Sequence, residues 1–161
     1  MTPDTGPTDA DPDTGADTRA GADAGTGSDG LKRVLRRVFE SQIPNYGDYN
    51  LVCATPGIGT ETGFYVLGYR WRPAELVFAP FDLESLAGLE APTAINTTNL
   101  SHTDELGTDA YEVGTNTGRI FRFSVQPQAA LPSSGTAARV VEQTDDWVDF
   151  RSFVDSYLEL A

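Results

Sequence analysis

The densest run of apolar and aromatic residues, residues 64–81, predicts a β-hairpin near the centre of the fold. Both arms are rich in Val, Tyr, Phe and Trp, which favour strands. Arg72-Pro73-Ala74 between the arms predicts a type I turn, because the proline ring holds φ near the value that this turn needs. Both faces of the first arm are largely apolar, which predicts a central strand that is covered on two sides.

Three aromatic side chains, Tyr65, Tyr69 and Trp71, share one face of this predicted strand. Such a stripe can stack a ring-shaped ligand or a sugar, but aromatic stripes are more often part of a core. We therefore expect these three side chains to have a structural role in the core. A ligand pocket in a curved sheet, lined by these three residues, is the alternative.

Two segments carry apolar residues at helical spacing. Residues 31–42 form the first, which Ser28 or Asp29 can cap and which Pro44 ends. The second begins at Thr144 as a cap and should cover the sheet with one apolar stripe, which comprises Trp147, Phe150, Val154, Tyr157 and Leu158.

The remaining segments predict strands, turns and loops. Asn116-Thr117-Gly118 joins the arms of a second hairpin, with the glycine in the left-handed conformation that closes such a connection. A short helix or turn should begin at Asp82. Further strands are predicted at residues 49–54, 93–100, 111–115, 119–126 and 139–143, and polar loops at residues 101–109 and 127–138.

These elements predict an α+β fold, with an antiparallel sheet or partly open barrel of six to seven strands, an N-terminal helix and a C-terminal amphipathic helix. The element order of residues 49–161 resembles that of pleckstrin-homology-like domains. The resemblance implies two packed antiparallel sheets closed at one end by the C-terminal helix, and it carries over no ligand or partner site. A helix-grip fold, with an apolar cavity between a curved sheet and a long helix, has nearly the same order.

Composition separates the first 30 residues from the rest. They contain no Leu, Ile, Val or aromatic residue, so they have little to bury against the entropy cost of ordering. We expect a disordered acidic tail at residues 1–30 and a single globular domain at residues 31–161. No run of about 18 apolar residues predicts a transmembrane helix, and no signal peptide is recognisable. A cytoplasmic location is expected.

The net charge of −13 argues against a general nucleic-acid binder, since a phosphate backbone needs a basic face. Surplus acidity is typical of a halophilic source, and a GC-rich genome produces a similar composition. Against this background, four of the 11 basic residues share the polar face of the first predicted helix: Lys32, Arg33, Arg36 and Arg37. We expect first a solvated face that offsets the acidity of the rest of the chain. The alternative is a contact surface for an unknown protein partner, and such a face can dock on an acidic partner, anionic lipid or nucleic acid.

No pattern for catalysis, a metal or a cofactor is expected to be functional. Cys53 is the single cysteine and predicts a small core residue, because a catalytic thiol needs a base that the sequence does not place beside it. His102 lies in a predicted polar loop with Asp104 and Glu105, and two further ligands would be needed for a metal. The loop around Gly59 misses the dinucleotide-binding spacing.

The sequence thus predicts a non-enzymatic interaction or regulatory domain with an unknown partner. The alternative is a small-ligand-binding protein or an enzyme whose pocket in the curved sheet is lined by Tyr65, Tyr69 and Trp71.

Overall fold

A computed structural model describes residues 27–45, 47–57, 63–132 and 139–161. Within these ranges the chain forms two α-helices and nine β-strands. In chain order they are α1 Ser28–Glu40, β1 Asn50–Pro56, β2 Tyr65–Trp71, β3 Ala74–Pro80, β4 Thr93–Asn96, β5 Leu100–Gly107, β6 Ala110–Thr115, β7 Ile120–Ser124, β8 Gln128–Leu131, β9 Arg139–Glu142 and α2 Thr144–Tyr157, with a 3-10 turn at Leu158–Leu160. Residues 1–26 of the predicted tail, and most of the predicted loop around Gly59, lie outside the described residues. α1 begins inside the predicted tail.

Seven strands form one antiparallel sheet in the order β4-β3-β2-β1-β7-β6-β5. β1 connects the two halves of the sheet, because residues 50–54 pair with β2 while Thr55 and Pro56 pair with β7. The sheet therefore bends at β1 into a nearly closed barrel. The predicted α+β class with a partly open barrel is confirmed.

A separate two-stranded ribbon is formed by β8 and β9. The sheet carries α2 on one face and α1 with this ribbon on the other, and each face has its own apolar cluster. β2 contributes to both, since Leu67 and Tyr69 belong to the α2 cluster while Val66 belongs to the α1 cluster. The prediction that this strand is covered on two sides is confirmed.

The α1 helix packs through Phe39, which is fully buried. A Cβ atom at Gly68 of β2 would lie 2.4 Å from the tip of the Phe39 ring. Real Cβ atoms do not approach a carbon so closely, so the glycine is what admits the ring to the sheet surface. This contact fixes where the basic face of α1 lies relative to the strands.

The predicted type I turn at residues 72–74 is wrong. Trp71 pairs with Ala74, so the turn holds only Arg72 and Pro73, and the bond between them is cis. Proline then occupies the third turn position, where its ring keeps the residue before it out of the α region that type I geometry needs. By contrast, Gly118 has φ of +92°, as predicted for the second hairpin.

Two predicted loops contain strands. Most of residues 101–109 belongs to β5, an edge strand whose side chains are partly or fully exposed on both faces, so no apolar period marks it. The segment at residues 127–138 contains β8, whose Ala129 and Leu131 are buried in the α1 cluster. Residues 82–90 form a turn closed by Asp82, whose carboxylate accepts the N–H groups of Glu84 and Ser85 at 3.1 Å and 2.8 Å.

The predicted helix caps are also wrong. The Ser28 hydroxyl accepts the backbone N–H of Glu142 at 2.7 Å, which ties the start of α1 to β9 instead of capping the helix. The Thr144 hydroxyl donates to the Glu142 carboxylate at 2.7 Å. Both side chains therefore connect the β8–β9 ribbon to the first residues of the helices.

Candidate functional site between the basic helix and the edge of β1

The three aromatic residues of the predicted ligand site lie on one face of β2, as predicted, but in different surroundings. Tyr69 is buried between Phe150 and Phe153 of α2, with ring centroids 5.2 Å and 5.1 Å away, and its hydroxyl donates to Asp149 at 2.6 Å. Burial is the largest cause that raises the pKa of this phenol, and the hydrogen bond to Asp149 adds to it. Tyr69 is therefore a core side chain.

The two outer members of the stripe are accessible at separate places. Tyr65 is half-buried beside a crevice of about 110 Å³ whose lining includes Arg119 and Phe121. Trp71 is 43% exposed and packs against Phe153. The described lining of the Tyr65 crevice includes neither Tyr69 nor Trp71. Ligand binding at the three residues stays a prediction.

The two residues considered for catalysis, Cys53 and His102, lie in an apolar cluster and on a paired strand. Cys53 is buried in the α1 cluster, and burial raises the pKa of its thiol to about 12. His102 lies on β5, where its Nε2 is 2.9 Å from a carboxylate oxygen of Glu112 across the strand pair. Glu112 also accepts the Arg122 Nε–H at 2.7 Å. In the part of the chain that the structure describes, no three His, Cys, Asp or Glu side chains group as they would around a metal ion.

The basic face of α1 has two adjacent rows, and the two residues of each row lie one helical turn apart. Lys32 and Arg36 face the start of β1, whereas Arg33 and Arg37 are exposed and form no ion pair with any described residue. Lys32 lies 3.6 Å from Asp146 of α2, and Arg36 lies 3.7 Å from Glu40. Pairs between such exposed side chains contribute little and exchange readily for other partners.

The edge of β1 that faces away from β2 is the unusual feature of the sheet. Within β1 only Thr55 and Pro56 pair with β7, so no strand of the described ranges pairs with the first part of β1 on that side. Gln143 takes the place of a strand at Cys53, because its Oε1 accepts the Cys53 N–H at 2.9 Å and its Nε2 donates to the Cys53 carbonyl at 3.0 Å. Asn45 does the same at Tyr49, with contacts of 3.1 Å and 3.4 Å.

Leu51 lies between these two substitutes. Because alternate residues of a strand direct their N–H and C=O to the same edge, its backbone groups share the edge used by Tyr49 and Cys53. No residue in the described ranges hydrogen-bonds either group. One donor and one acceptor at this position of the edge therefore have no partner among the described residues.

A groove of about 280 Å³ opens at this position. We call it the β1 edge groove; its lining includes Lys32, Arg36, Leu51, Cys53, Gln143 and Asp146. The described lining holds two basic side chains and one acidic side chain, in a molecule whose net charge is −13. It can therefore receive an anionic group and a peptide-like amide together.

Tyr49 forms a rigid wall of the groove. Its ring packs edge-on against Phe39 at 5.6 Å, its hydroxyl donates to the Glu75 carboxylate, and the Arg70 guanidinium lies 4.9 Å from the ring centre. Arg70 and the Asn96 amide hold Glu75 at 3.1 Å and 2.8 Å. Burial, then the Glu75 contact, raises the pKa of Tyr49 to about 12, so the phenol stays protonated near neutral pH.

Sequence reasoning identified the four basic residues but not the groove beside them. Asn45 and Gln143 lie far apart in sequence and resemble ordinary loop residues, so nothing local indicates that their amides complete the edge of β1. The free edge depends on where β7 leaves β1. No sequence pattern in β1 indicates at which residue its pairing with β7 ends.

No protein-family model, curated protein or solved structure matches the chain. None of the helices in the described ranges has the length and apolar character needed to cross a bilayer. The geometry of the β1 edge groove and of the basic helix is therefore the basis for assigning a function.

Proposed function

We propose that this chain is a non-enzymatic interaction domain that binds an acidic protein partner through the basic face of α1 and the adjoining β1 edge groove. The observation that carries the proposal is the position of Lys32 and Arg36, which line a groove whose strand edge is incomplete. Positive side chains and an unpaired backbone at one place favour recognition of another chain over solvation alone.

The exposed row of α1 extends this surface. Arg33 and Arg37 have no described acidic neighbour in ion-pair range, so a partner can approach them without displacing an internal contact. Rim charges of this kind mainly steer association and set its dependence on salt. The rest of the molecule is acidic, which would repel an acidic partner elsewhere and direct it to α1.

The test compares two charge variants, because deleting α1 would remove the buried Leu31 and Phe39 and disrupt the fold. Tagged wild-type chain, the double variant Lys32→Gln/Arg36→Gln and a control are used to capture proteins from an extract of the source organism at low and high salt. The control, Arg119→Gln/Arg122→Gln, removes the same charge from exposed side chains on the other half of the sheet.

We expect proteins that the wild type and the control capture to be lost by the α1 variant, and we expect their capture to fall as salt rises. Equal capture by all three chains would show that Lys32 and Arg36 belong to a solvated surface. It would overturn the proposal.

A further inference from the structure

We propose that the β1 edge groove binds an extended segment of the acidic partner, and that one Asp or Glu of this segment pairs through its main chain with Leu51 while its carboxylate contacts Arg36 or Lys32. This inference rests on the proposed function. It adds the class of ligand, an acidic peptide in extended conformation, and the atoms that hold it.

The first argument concerns the backbone. Unpaired N–H and C=O groups on a sheet edge are a template for another strand, and many domains recognise peptides in this way. In an antiparallel pair, two opposed residues can exchange both N–H···O bonds. A partner residue opposite Leu51 would therefore satisfy both groups that the described chain leaves free.

The second argument limits the length of the contact. The edge positions on either side of Leu51 are occupied, because the Asn45 amide bonds Tyr49 and the Gln143 amide bonds Cys53. Gln143 is 2% exposed, so it is a fixed part of the edge. The partner can pair at one residue only and must leave the edge on both sides.

The third argument concerns the side chain of the partner residue opposite Leu51. Residues opposite each other in an antiparallel pair have side chains on the same face of the sheet. The Leu51 side chain packs on the α1 face, so the opposed partner residue would direct its side chain towards the groove wall that carries Lys32 and Arg36. Asp146 shows that a carboxylate is accommodated near Lys32, at 3.6 Å. An acidic side chain on the partner completes the charge balance of the groove.

The ligand side is tested with three blocked peptides on the full-length 15N-labelled chain at low salt. The first is acetyl-Gly-Thr-Glu-Thr-Gly-amide; the second has N-methyl-Glu at the centre and so lacks the donor; the third has Gln there and lacks the charge. Dissociation constants come from the amide shifts of Leu51, Lys32 and Arg36. We expect the first peptide to bind tightest and each change to weaken binding about fivefold, the effect of losing roughly one hydrogen bond or charge contact.

The protein side is tested by Leu51→Pro against Leu51→Ala. Both substitutions shorten the side chain, but only proline removes the backbone N–H of residue 51. The pairing of β1 with β2 loses no hydrogen bond, because this N–H faces away from β2. We expect Leu51→Pro to weaken the first peptide about fivefold more than Leu51→Ala does. In the unchanged protein the Leu51 amide should exchange its hydrogen faster than that of Val52, and the peptide should slow it.

The outcomes separate the two proposals. Equal binding of the N-methyl and unmodified peptides, with weaker binding of the Gln form, would show attraction by charge alone and overturn the main-chain pairing, while the proposed function would stand. Absence of peptide binding would overturn the inference. If Lys32→Gln/Arg36→Gln also leaves the captured proteins unchanged, both proposals fail. Shifts at Lys32 and Arg36 with phosphatidylserine vesicles but with none of the peptides would overturn both in favour of a membrane surface.

Discussion

The side-chain amide of Gln143 hydrogen-bonds both backbone groups of Cys53, although the two residues lie 90 positions apart. The same Nε2 also donates to the Gln126 carbonyl at 2.8 Å. One buried amide thus joins β1, the segment before β8 and the start of α2 at a point where no strand of the described ranges continues the sheet. Because of this amide, the backbone of β1 on one side of Leu51 keeps its hydrogen bonds although the sheet bends there.

Gln143→Ala tests this role. The substitution would leave the Cys53 N–H and C=O and the Gln126 C=O without these partners in a buried place, and we expect a loss of about 3 kcal/mol in the free energy of unfolding. Urea unfolding followed by circular dichroism measures it. Gln128→Ala is the matched control, because Gln128 is exposed and donates one weak bond at 3.3 Å to Glu142. Similar losses for both variants would contradict the assigned role.

Gly68→Ala tests how α1 is seated. The added methyl would lie 2.4 Å from the Phe39 ring, so the helix must shift, and overpacking of this kind costs about 2 kcal/mol. In a Phe39→Leu background the ring tip is absent, and we expect the same substitution to cost less than about 0.5 kcal/mol. A double-mutant cycle from urea unfolding gives the coupling. Equal costs in the two backgrounds would show that the ring does not determine the need for glycine.

The helices and the main hairpins could be predicted because the apolar residues of each element recur at a regular local spacing. The buried stripe of α2 was found through Phe150, Val154 and Tyr157, although the buried Phe153 beside it was not identified. β5 was missed because an edge strand has no buried face to impose alternation on its residues. The cis turn at Pro73 was misread because proline sets φ but does not reveal its position in the turn.

The candidate site could be predicted only where it is local. Lys32, Arg33, Arg36 and Arg37 recur on one helix, so their shared face follows from helical spacing. The free backbone of Leu51 follows instead from a global relationship, the register at which β7 meets Thr55 and Pro56. No pattern within β1 distinguishes a residue that has a partner strand from one that does not.

The Cys53 thiol should be inert in the folded protein. Burial raises its pKa to about 12 from 9.0, so the thiolate that reacts with disulfide reagents is scarce at pH 8 and is also shielded. We expect no reaction with Ellman's reagent in buffer and full reaction in 6 M guanidinium. Because the pKa is higher in the folded state, the stabilisation that burial of the thiol provides is present below pH 9 and is lost as the pH rises towards 12. Rapid reaction under native conditions would contradict the buried position.

Glu112 should contribute stability that disappears in acid. The hydrogen bond from Arg122, followed by that from His102, holds the pKa of this carboxyl below its usual 4.5, so the folded state favours the ionised form. The contribution is present above about pH 4.5 and is lost as the pH falls through the lower pKa of the folded state. Thermal unfolding of wild type and Glu112→Gln between pH 2 and 7 should show a difference in midpoint that is largest near pH 7 and smallest at pH 2. Glu105→Gln removes the same charge from β5, and because Glu105 forms no ion pair with a described residue, this variant should parallel the wild type. A pH-independent difference for Glu112→Gln would show that its effect comes from packing and not from its charge.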